Sequence, residues 1–266
     1  MSGLKVWVDG VGLLGPGLGS WAASIDVLRA TRALAPAPTA LPAPARLPPA
    51  ERRRAGAAVK LALAVADEAV AQAQLDAALL ATVFTSSSGE GVNCHVLCET
   101  LATPAPMVSP TRFTNSVHNA ASGCWHIAVG SRASSTSLCA FDGSFGAGLI
   151  EATTSVAWGG APMLLVASDS PYPEPLHARR PLPDHFGLAL VLAPVRGARS
   201  IAALTIDTVD PKHAASACAD PALEALRRAI PAAAALPLLI ALARPGARCD
   251  VVLDYLNRLR VQVETL

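Results

Sequence analysis

The residues best placed to do chemistry lie at a sharp break in the chain. A short β-prone run, Ser134–Ala140, stops at Phe141-Asp142-Gly143, a small-residue helix pattern follows, and the apolar run Met163–Ala167 closes the unit. This order predicts a strand, a tight turn, a buried helix and a second strand. A residue at such a turn projects from the sheet edge toward the free N–H groups of the helix. Here that residue is Asp142.

Cys139 and Ser144 flank this turn and could attack an acyl group if a histidine took the proton. His118 and His126 lie eight residues apart, about two helical turns, so they could share one helix face. Gly143-Ser144-Phe145-Gly146 is not the G-x-S-x-G elbow. Acyl transfer or hydrolysis through Ser144 or Cys139 is therefore an alternative function.

Three glycines near the N-terminus, Gly10, Gly12 and Gly15, match the dinucleotide-binding spacing G-x-G-x-x-G. That fingerprint needs a helix directly after it, whereas Pro16 and Gly17 follow here. A nucleotide-dependent reductase is a third hypothesis, and a glycine-rich turn is the simpler interpretation.

Composition excludes several functional classes. The 266 residues are 52% hydrophobic and 15% charged, with mean hydropathy +0.41, yet prolines and glycines interrupt every run long enough for a membrane span. A net charge of +1, with Arg52-Arg53-Arg54 as the basic cluster, provides no field for nucleic acid. Without signal-peptide features at the N-terminus, we expect a cytoplasmic protein with reduced cysteines. Cys94 and Cys98 lack a second ligand pair, so we expect neither metal nor cofactor.

The remaining patterns indicate an α/β protein. Two adjacent apolar runs, Gly187–Pro194 and Ser200–Val209, read as a hairpin, and residues 168–183 read as an exposed loop. The helix predicted within residues 111–130 has Asn115 and Ser116 as possible caps. The other predicted elements are a strand at 4–8, a helix at 20–30, a proline-rich loop at 36–49, a helix at 51–80, a strand at 81–84, helices at 91–101 and 221–235, and a last strand at 249–253.

With the elements in this order, the chain resembles the β-ketoacyl synthase family, most of all the shortened synthase-like proteins found with aryl polyene pigment pathways. The stretches that carry the resemblance are residues 6–15 (VWVDGVGLLG), the helix from Arg53, residues 113–123 (FTNSVHNAASG), the central unit and residues 159–167 (GGAPMLLVA). The resemblance implies one thiolase-like α/β domain over 1–266. Its N-terminal half, 1–195, would be essentially complete, and its C-terminal half, 196–266, truncated.

In that family the turn carries a cysteine nucleophile. Anchoring the comparison on Glu151-Ala152 and on Gly159 puts the equivalent position at Asp142, whereas anchoring on Leu138-Cys139-Ala140 would put it at Cys139. An aspartate is a poor acyl acceptor but a good helix N-cap, so we expect Asp142 to cap the helix and Cys139 to be buried in the strand.

The family also supplies histidines from a His-Gly-Thr-Gly-Thr motif and an Asn-Ser-Phe-Gly run. After Val209 this sequence has only His213 and neither motif. The resemblance therefore implies a non-catalytic, chain-length-factor-like subunit that pairs with an active β-ketoacyl synthase, or with itself, and it adds an acyl carrier protein as a further candidate partner. Family members dimerise through the strand before the turn, here Ser134, Ser135, Thr136, Ser137, Leu138, Cys139 and Ala140.

Overall fold

The computed structural model describes residues 3–266, which form one mixed eight-stranded sheet between helical layers. Its strands are β1 (Leu4–Leu14), β2 (Ala81–Thr85), β3 (Ser135–Leu138), β4 (Met163–Asp169), β5 (Phe186–Ala193), β6 (Ala202–Thr208), β7 (Arg248–Leu253) and β8 (Leu259–Thr265). Their order across the sheet is β3-β2-β4-β5-β1-β6-β8-β7. The α/β fold expected from the sequence is confirmed.

The helices cover both faces of this sheet. They are α1 (Trp21–Leu28), α2 (Pro49–Arg54), α3 (Ala57–Ala73), α4 (Gly91–Leu101), α5 (Pro110–Thr114), α6 (Ala120–Val129), α7 (Ser144–Gly159), α8 (Leu176–Arg179), α9 (Pro221–Ala229) and α10 (Leu236–Leu242). One buried cluster joins α3 and α6 to the sheet, and a second joins α7, α10 and the C-terminal strands. Between residues 3 and 266 no helix has the length and apolar character that a membrane crossing requires.

The first strand, β1, lies in the middle of the sheet. It pairs antiparallel with β5 on one side and with β6 on the other. The hairpin predicted from residues 187–194 and 200–209 is therefore wrong, because β1 is inserted between its two strands. The apolar pattern identified both strands but could not show that their inner edges are occupied by a strand from the other end of the chain. The strand predicted at 249–253 is not the last one, since β8 follows it and pairs with β6.

The glycines of β1 serve packing and not nucleotide binding. The strand runs through Gly10 and Gly12 with regular pairing to β5 after a register shift. A Cβ atom would lie 2.1 Å from the Ala69 carbonyl oxygen at Gly10, and 1.9 Å from the Val65 carbonyl oxygen at Gly12. Only glycine allows α3 this close to the strand. The dinucleotide-binding interpretation is therefore wrong.

Two polar side chains of α3 complete this contact. Gln72 accepts a hydrogen bond from the Val11 N–H at 2.8 Å, and Glu68 accepts from Leu13 N–H at 2.9 Å and Trp21 N–H at 2.7 Å. Burial raises the pKa of the Glu68 carboxyl above its ordinary value. These bonds satisfy backbone groups that would otherwise be buried without partners.

Both long predicted helices are split. The helix expected over 51–80 breaks at Ala55, whose backbone is extended, and restarts at α3, where Glu90 accepts from Ala58 N–H at 3.0 Å. The helix expected within 111–130 is α5 followed by α6. Ser109 caps α5, so the predicted Asn115 and Ser116 caps are wrong.

Candidate functional site

The predicted strand-turn-helix-strand unit is present, and its turn is strained at one residue. β3 runs parallel to β2, residues 141–143 form a single 3₁₀ turn, and α7 begins at Ser144. Phe141 has φ +52°, the left-handed region that a bulky side chain rarely adopts. A strained residue between strand and helix is where hydrolases mount a nucleophile. In this chain a phenyl ring, more than half exposed, occupies it.

Asp142 does not cap α7, so that prediction was wrong. Gly143 holds the N-cap position, where no side chain accepts a hydrogen bond from the helix. The Asp142 side chain is 67% exposed and pairs with Arg180. The 3₁₀ turn places Asp142 before the N-cap, and the guanidinium is a stronger partner than the helix dipole. Arg180 also stacks on the Phe141 ring, 3.6 Å from its centroid.

Ser144 holds the turn together. Its side chain is buried, its Oγ donates to the Phe141 carbonyl at 2.7 Å, and the same oxygen accepts from Ala140 N–H at 3.0 Å. Thr85 Oγ1 also donates to the Ser144 carbonyl at 2.7 Å. This hydroxyl is engaged on both sides, which suits a structural role and not attack on a substrate.

Cys139 lies just after β3 and is exposed, so the expectation of a buried thiol was wrong. β3 is shorter than predicted, which leaves Cys139 in the turn. Its Sγ donates to the Ser87 carbonyl at 3.3 Å. The thiol therefore ties the turn to the loop after β2.

The two candidate bases are held apart by the fold. His118 precedes α6, whereas His126 lies within it, so they do not share a helix face. His118 Nε2 lies 3.2 Å from the Ser86 carbonyl, and His126 Nε2 lies 3.0 Å from Thr82 Oγ1. Burial lowers the pKa of His126. Neither imidazole makes a hydrogen bond to Ser144 or Cys139 within residues 3–266.

A cleft of about 770 Å³ opens at the turn. The tip of the β7–β8 hairpin forms one wall, because Tyr255 packs onto the start of α7. A Cβ atom at Gly146 would lie 2.8 Å from Tyr255 Cβ, and one at Gly143 would lie 3.1 Å from Tyr255 Cδ2. The hairpin tip thus covers the helix N-terminus at which a substrate carbonyl would have to lie.

Asp169 is the buried polar residue that the sequence analysis missed. It is 2% exposed at the end of β4, so residues 168 and 169 belong to a buried strand and not to the predicted exposed loop. Its Oδ1 accepts from Ser87 N–H and Oγ–H, each at 2.7 Å, and from Ser86 Oγ–H at 3.3 Å, while Oδ2 accepts from Ala232 N–H at 2.8 Å. Burial raises the pKa of its carboxyl.

Asp169 therefore joins three segments beneath the turn: β4, the loop after β2 and the 3₁₀ segment Pro231–Ala235. Its position directly after an apolar run, with two serines after the neighbouring strand, was the available signal. A single acid at the end of a strand was too common a feature to single out.

This architecture is the thiolase-like fold of ketosynthases. It aligns with "Ketosynthase (ApeO) in Complex with its Chain Length Factor (ApeC) from Xenorhabdus doucetiae" at TM-score 0.71 and 23% identity, over 98% of this chain and 99% of that chain. It also aligns with "The ishigamide ketosynthase/chain length factor" at TM-score 0.65 and 18% identity, over 99% of each chain. A type II polyketide ketosynthase structure with its acyl-carrier protein, AntDE:AntF, aligns at TM-score 0.74 and 12% identity, over 98% of this chain and 99% of that chain.

A family model described as "Beta-ketoacyl synthase, N-terminal domain" matches residues 27–237, well over half of the chain. The chain belongs to this family, as the resemblance implied. No curated protein matches its sequence.

Proposed function

We propose that this protein is a non-catalytic, chain-length-factor-like subunit that pairs with an active β-ketoacyl synthase during aryl polyene, polyketide or fatty-acid-type chain elongation. The observation that carries the proposal is the turn itself. Its strained position holds Phe141, the adjacent Asp142 is ion-paired with Arg180, and neither side chain is an acyl acceptor like a thiolate. The single-domain organisation, with its division near residue 195, and a cytoplasmic location stay predictions.

The surrounding groups support a non-catalytic turn. Cys139 and Ser144 bond to backbone carbonyls, and Tyr255 lies against the helix start. His213, the histidine that follows Val209 in this sequence, is exposed, with its Nδ1 3.1 Å from the Asp210 carbonyl. A decarboxylating condensation needs a nucleophile and a proton-handling group that converge on one carbon. The groups named here do not converge.

The edge strand β3 supports pairing with another subunit. β3 lies at the edge of the sheet and, among the strands of residues 3–266, bonds to β2 alone, through the carbonyls of Ser134 and Leu138 among others. In a parallel ladder alternate residues bond to the same neighbour, so the backbone groups of Ser135 and Ser137 face away from β2. An unpaired edge of this kind accepts a strand from another chain.

The segment of the chain between β2 and β3 carries unusual apolar exposure. Six large hydrophobic side chains, each about half exposed or more, fall within one segment of the chain: Val92, Leu101, Met107, Phe113, Val117 and Ile127. Exposed apolar side chains concentrated in one segment are typical of a protein interface. We propose that the partner synthase covers part of this segment together with β3. An acyl carrier protein would then meet the pair and not this subunit alone.

The test is reconstitution with a candidate partner synthase. We expect the isolated chain to show no turnover of malonyl thioester, and the co-purified pair to elongate. Condensation by the isolated chain would contradict the proposal. The control is the same pair in which the partner's nucleophile is replaced, since activity must come from the partner.

A matched pair of variants tests the edge. Ser137→Pro removes an outward N–H without taking a bond from β2, whereas Ser137→Ala keeps that N–H and loses only the hydroxyl, which lies 3.2 Å from Ser122 Oγ. We expect Ser137→Pro to weaken association at least tenfold by sedimentation and Ser137→Ala to leave it within twofold. Equal association of both variants would exclude β3 from the interface.

A further inference from the structure

We propose that the cleft at the turn binds a phosphate monoester that carries an apolar chain. We call it the arginine cleft. Its charged lining residues are Arg180, Arg227, Arg228, Arg258, Asp142 and Asp254. This inference concerns a ligand site on the subunit itself and does not depend on which synthase it pairs with.

The arginine cleft carries excess positive charge. Arg180 pairs with Asp142, and Arg258 pairs with Asp254. Glu224, just outside the cleft, is shared by Arg227 and Arg228, with both Nε–H groups donating at 2.7 Å. These two guanidinium groups, Arg227 first, hold the pKa of Glu224 well below its ordinary value.

One carboxylate thus serves two arginines, which leaves donors for an incoming anion. Arg228 is 74% exposed and can turn toward the cleft without disturbing the core. Planar guanidinium groups bind phosphate oxygens in pairs, and a dianion competes well with a single carboxylate.

Arg180 supplies independent support. Its side chain is largely buried, and its Nε, wholly shielded from solvent, has no hydrogen-bond partner within residues 3–266. Buried donors are nearly always paired, but this Nε is too enclosed for a ligand in the cleft to reach, so an incoming anion would meet the Nη groups, one of which now pairs with Asp142. Stacking on Phe141 fixes the plane of the guanidinium. Its present partner, Asp142, is mostly exposed, and such an ion pair is readily exchanged for a better anion.

The uncharged part of the lining is largely apolar, and it determines which class of phosphate compound fits the cleft. Between the arginines lie apolar side chains and the Tyr255 ring, and Leu256 at the hairpin tip is 85% exposed. The apolar members of the wall include Phe141, Pro181, Leu182, Ile230, Pro231, Tyr255 and Leu256. An anionic head with an apolar chain fits such a lining better than inorganic phosphate alone, because burying each methylene adds favourable free energy.

Calorimetric titration of the intact protein with three probes tests this assignment. Hexyl phosphate has both head and chain, inorganic phosphate has the head, and hexanol has the chain. We expect hexyl phosphate to bind at least tenfold more tightly than either of the others, and to weaken as salt is raised. Hexanol binding as tightly as hexyl phosphate, or hexyl phosphate failing to bind, would overturn the proposal.

Four variants locate the site. We expect Arg228→Ala and Arg180→Ala to weaken hexyl phosphate binding about tenfold, the usual value of a charge-assisted bond. Asp142→Asn should tighten binding about threefold or more, because it removes the competing carboxylate. Arg248→Ala, an exposed arginine paired with Glu264 outside the cleft, is the control and should change nothing. Weakening by Arg248→Ala equal to that of Arg228→Ala, or weaker binding in Asp142→Asn, would refute the site. Arg228→Ala keeps the test valid should Arg180→Ala fail to fold.

Discussion

Replacing Asp169 by asparagine should destabilise the protein although the two side chains have nearly the same shape. The carboxylate accepts hydrogen bonds through both oxygens: Oδ1 from Ser86 and Ser87, and Oδ2 from the Ala232 N–H. An asparagine has one oxygen. If that oxygen faces Ser87, its NH₂ group faces the Ala232 N–H, and two donors oppose each other.

The magnitude follows from the number of donors left without an acceptor. A buried unsatisfied donor costs about 1–3 kcal/mol, so Asp169→Asn should lower the free energy of unfolding by about that amount. Asp169→Ala leaves the N–H groups of both Ser87 and Ala232 without an acceptor. It should lower the free energy of unfolding by about 2–6 kcal/mol unless water enters the site. The serine hydroxyls can rotate to other acceptors and add little.

Urea unfolding followed by the fluorescence of the four tryptophans measures this difference. Asp142→Asn is the matched control, because its carboxylate is mostly exposed and its ion pair contributes at most about 1 kcal/mol. If Asp169→Asn unfolds within about 0.5 kcal/mol of the wild type, or is more stable, the desolvation of the carboxylate outweighs its hydrogen bonds and our reasoning is wrong.

Three further predictions concern glycine packing and pH. Gly12→Ala should lower the free energy of unfolding by about 3 kcal/mol or more, or prevent folding, because the added methyl group would clash with the Val65 carbonyl. Thermal unfolding measures this loss. Gly123→Ala, within α6 and with open space around it, should instead stabilise the protein by about 0.5–1 kcal/mol in the same assay; similar losses in both would show that packing is not the cause. Glu224→Gln should lower stability at pH 7. Because the folded-state pKa of Glu224 is depressed, its contribution is fully present above its ordinary value of 4.5 and is lost as the pH falls below it. Urea titrations should therefore show the gap between wild type and variant narrowing only below about pH 4.5, and a gap unchanged down to pH 3 would contradict the assigned pairing.

The central unit could be predicted from sequence because its signals are local. Strand propensity, a turn and a small-residue helix follow one another within 35 residues, and the structure confirms each. The partner of Asp142 could not be predicted, since Arg180 is 38 residues away and follows the short helix α8, in a segment whose sequence showed no regular pattern. Likewise, the apolar pattern of β1 indicated a buried strand but could not place it between β5 and β6.

The candidate site likewise has a part that local sequence predicted and a part that depends on distant residues. The turn before α7 was predicted from local sequence, but the strain at Phe141 and the contact of Tyr255 with Gly143 and Gly146 depend on backbone angles and on a hairpin more than 100 residues away. Asp169 could not be singled out from the sequence because its four hydrogen-bond donors come from two distant segments.

The central place of β1 bears on how the chain is made. Trp7 pairs with Ala193 on one side and with Ala203 on the other, so β1 finds its partner strands only after more than 180 further residues have been synthesised. Until then the apolar residues of β1, together with Gly10 and Gly12, which pack against α3, belong to a strand without a partner strand. Contacts this distant in sequence form slowly and leave apolar segments open to aggregation. We therefore expect β1 to be a chaperone-binding segment during synthesis.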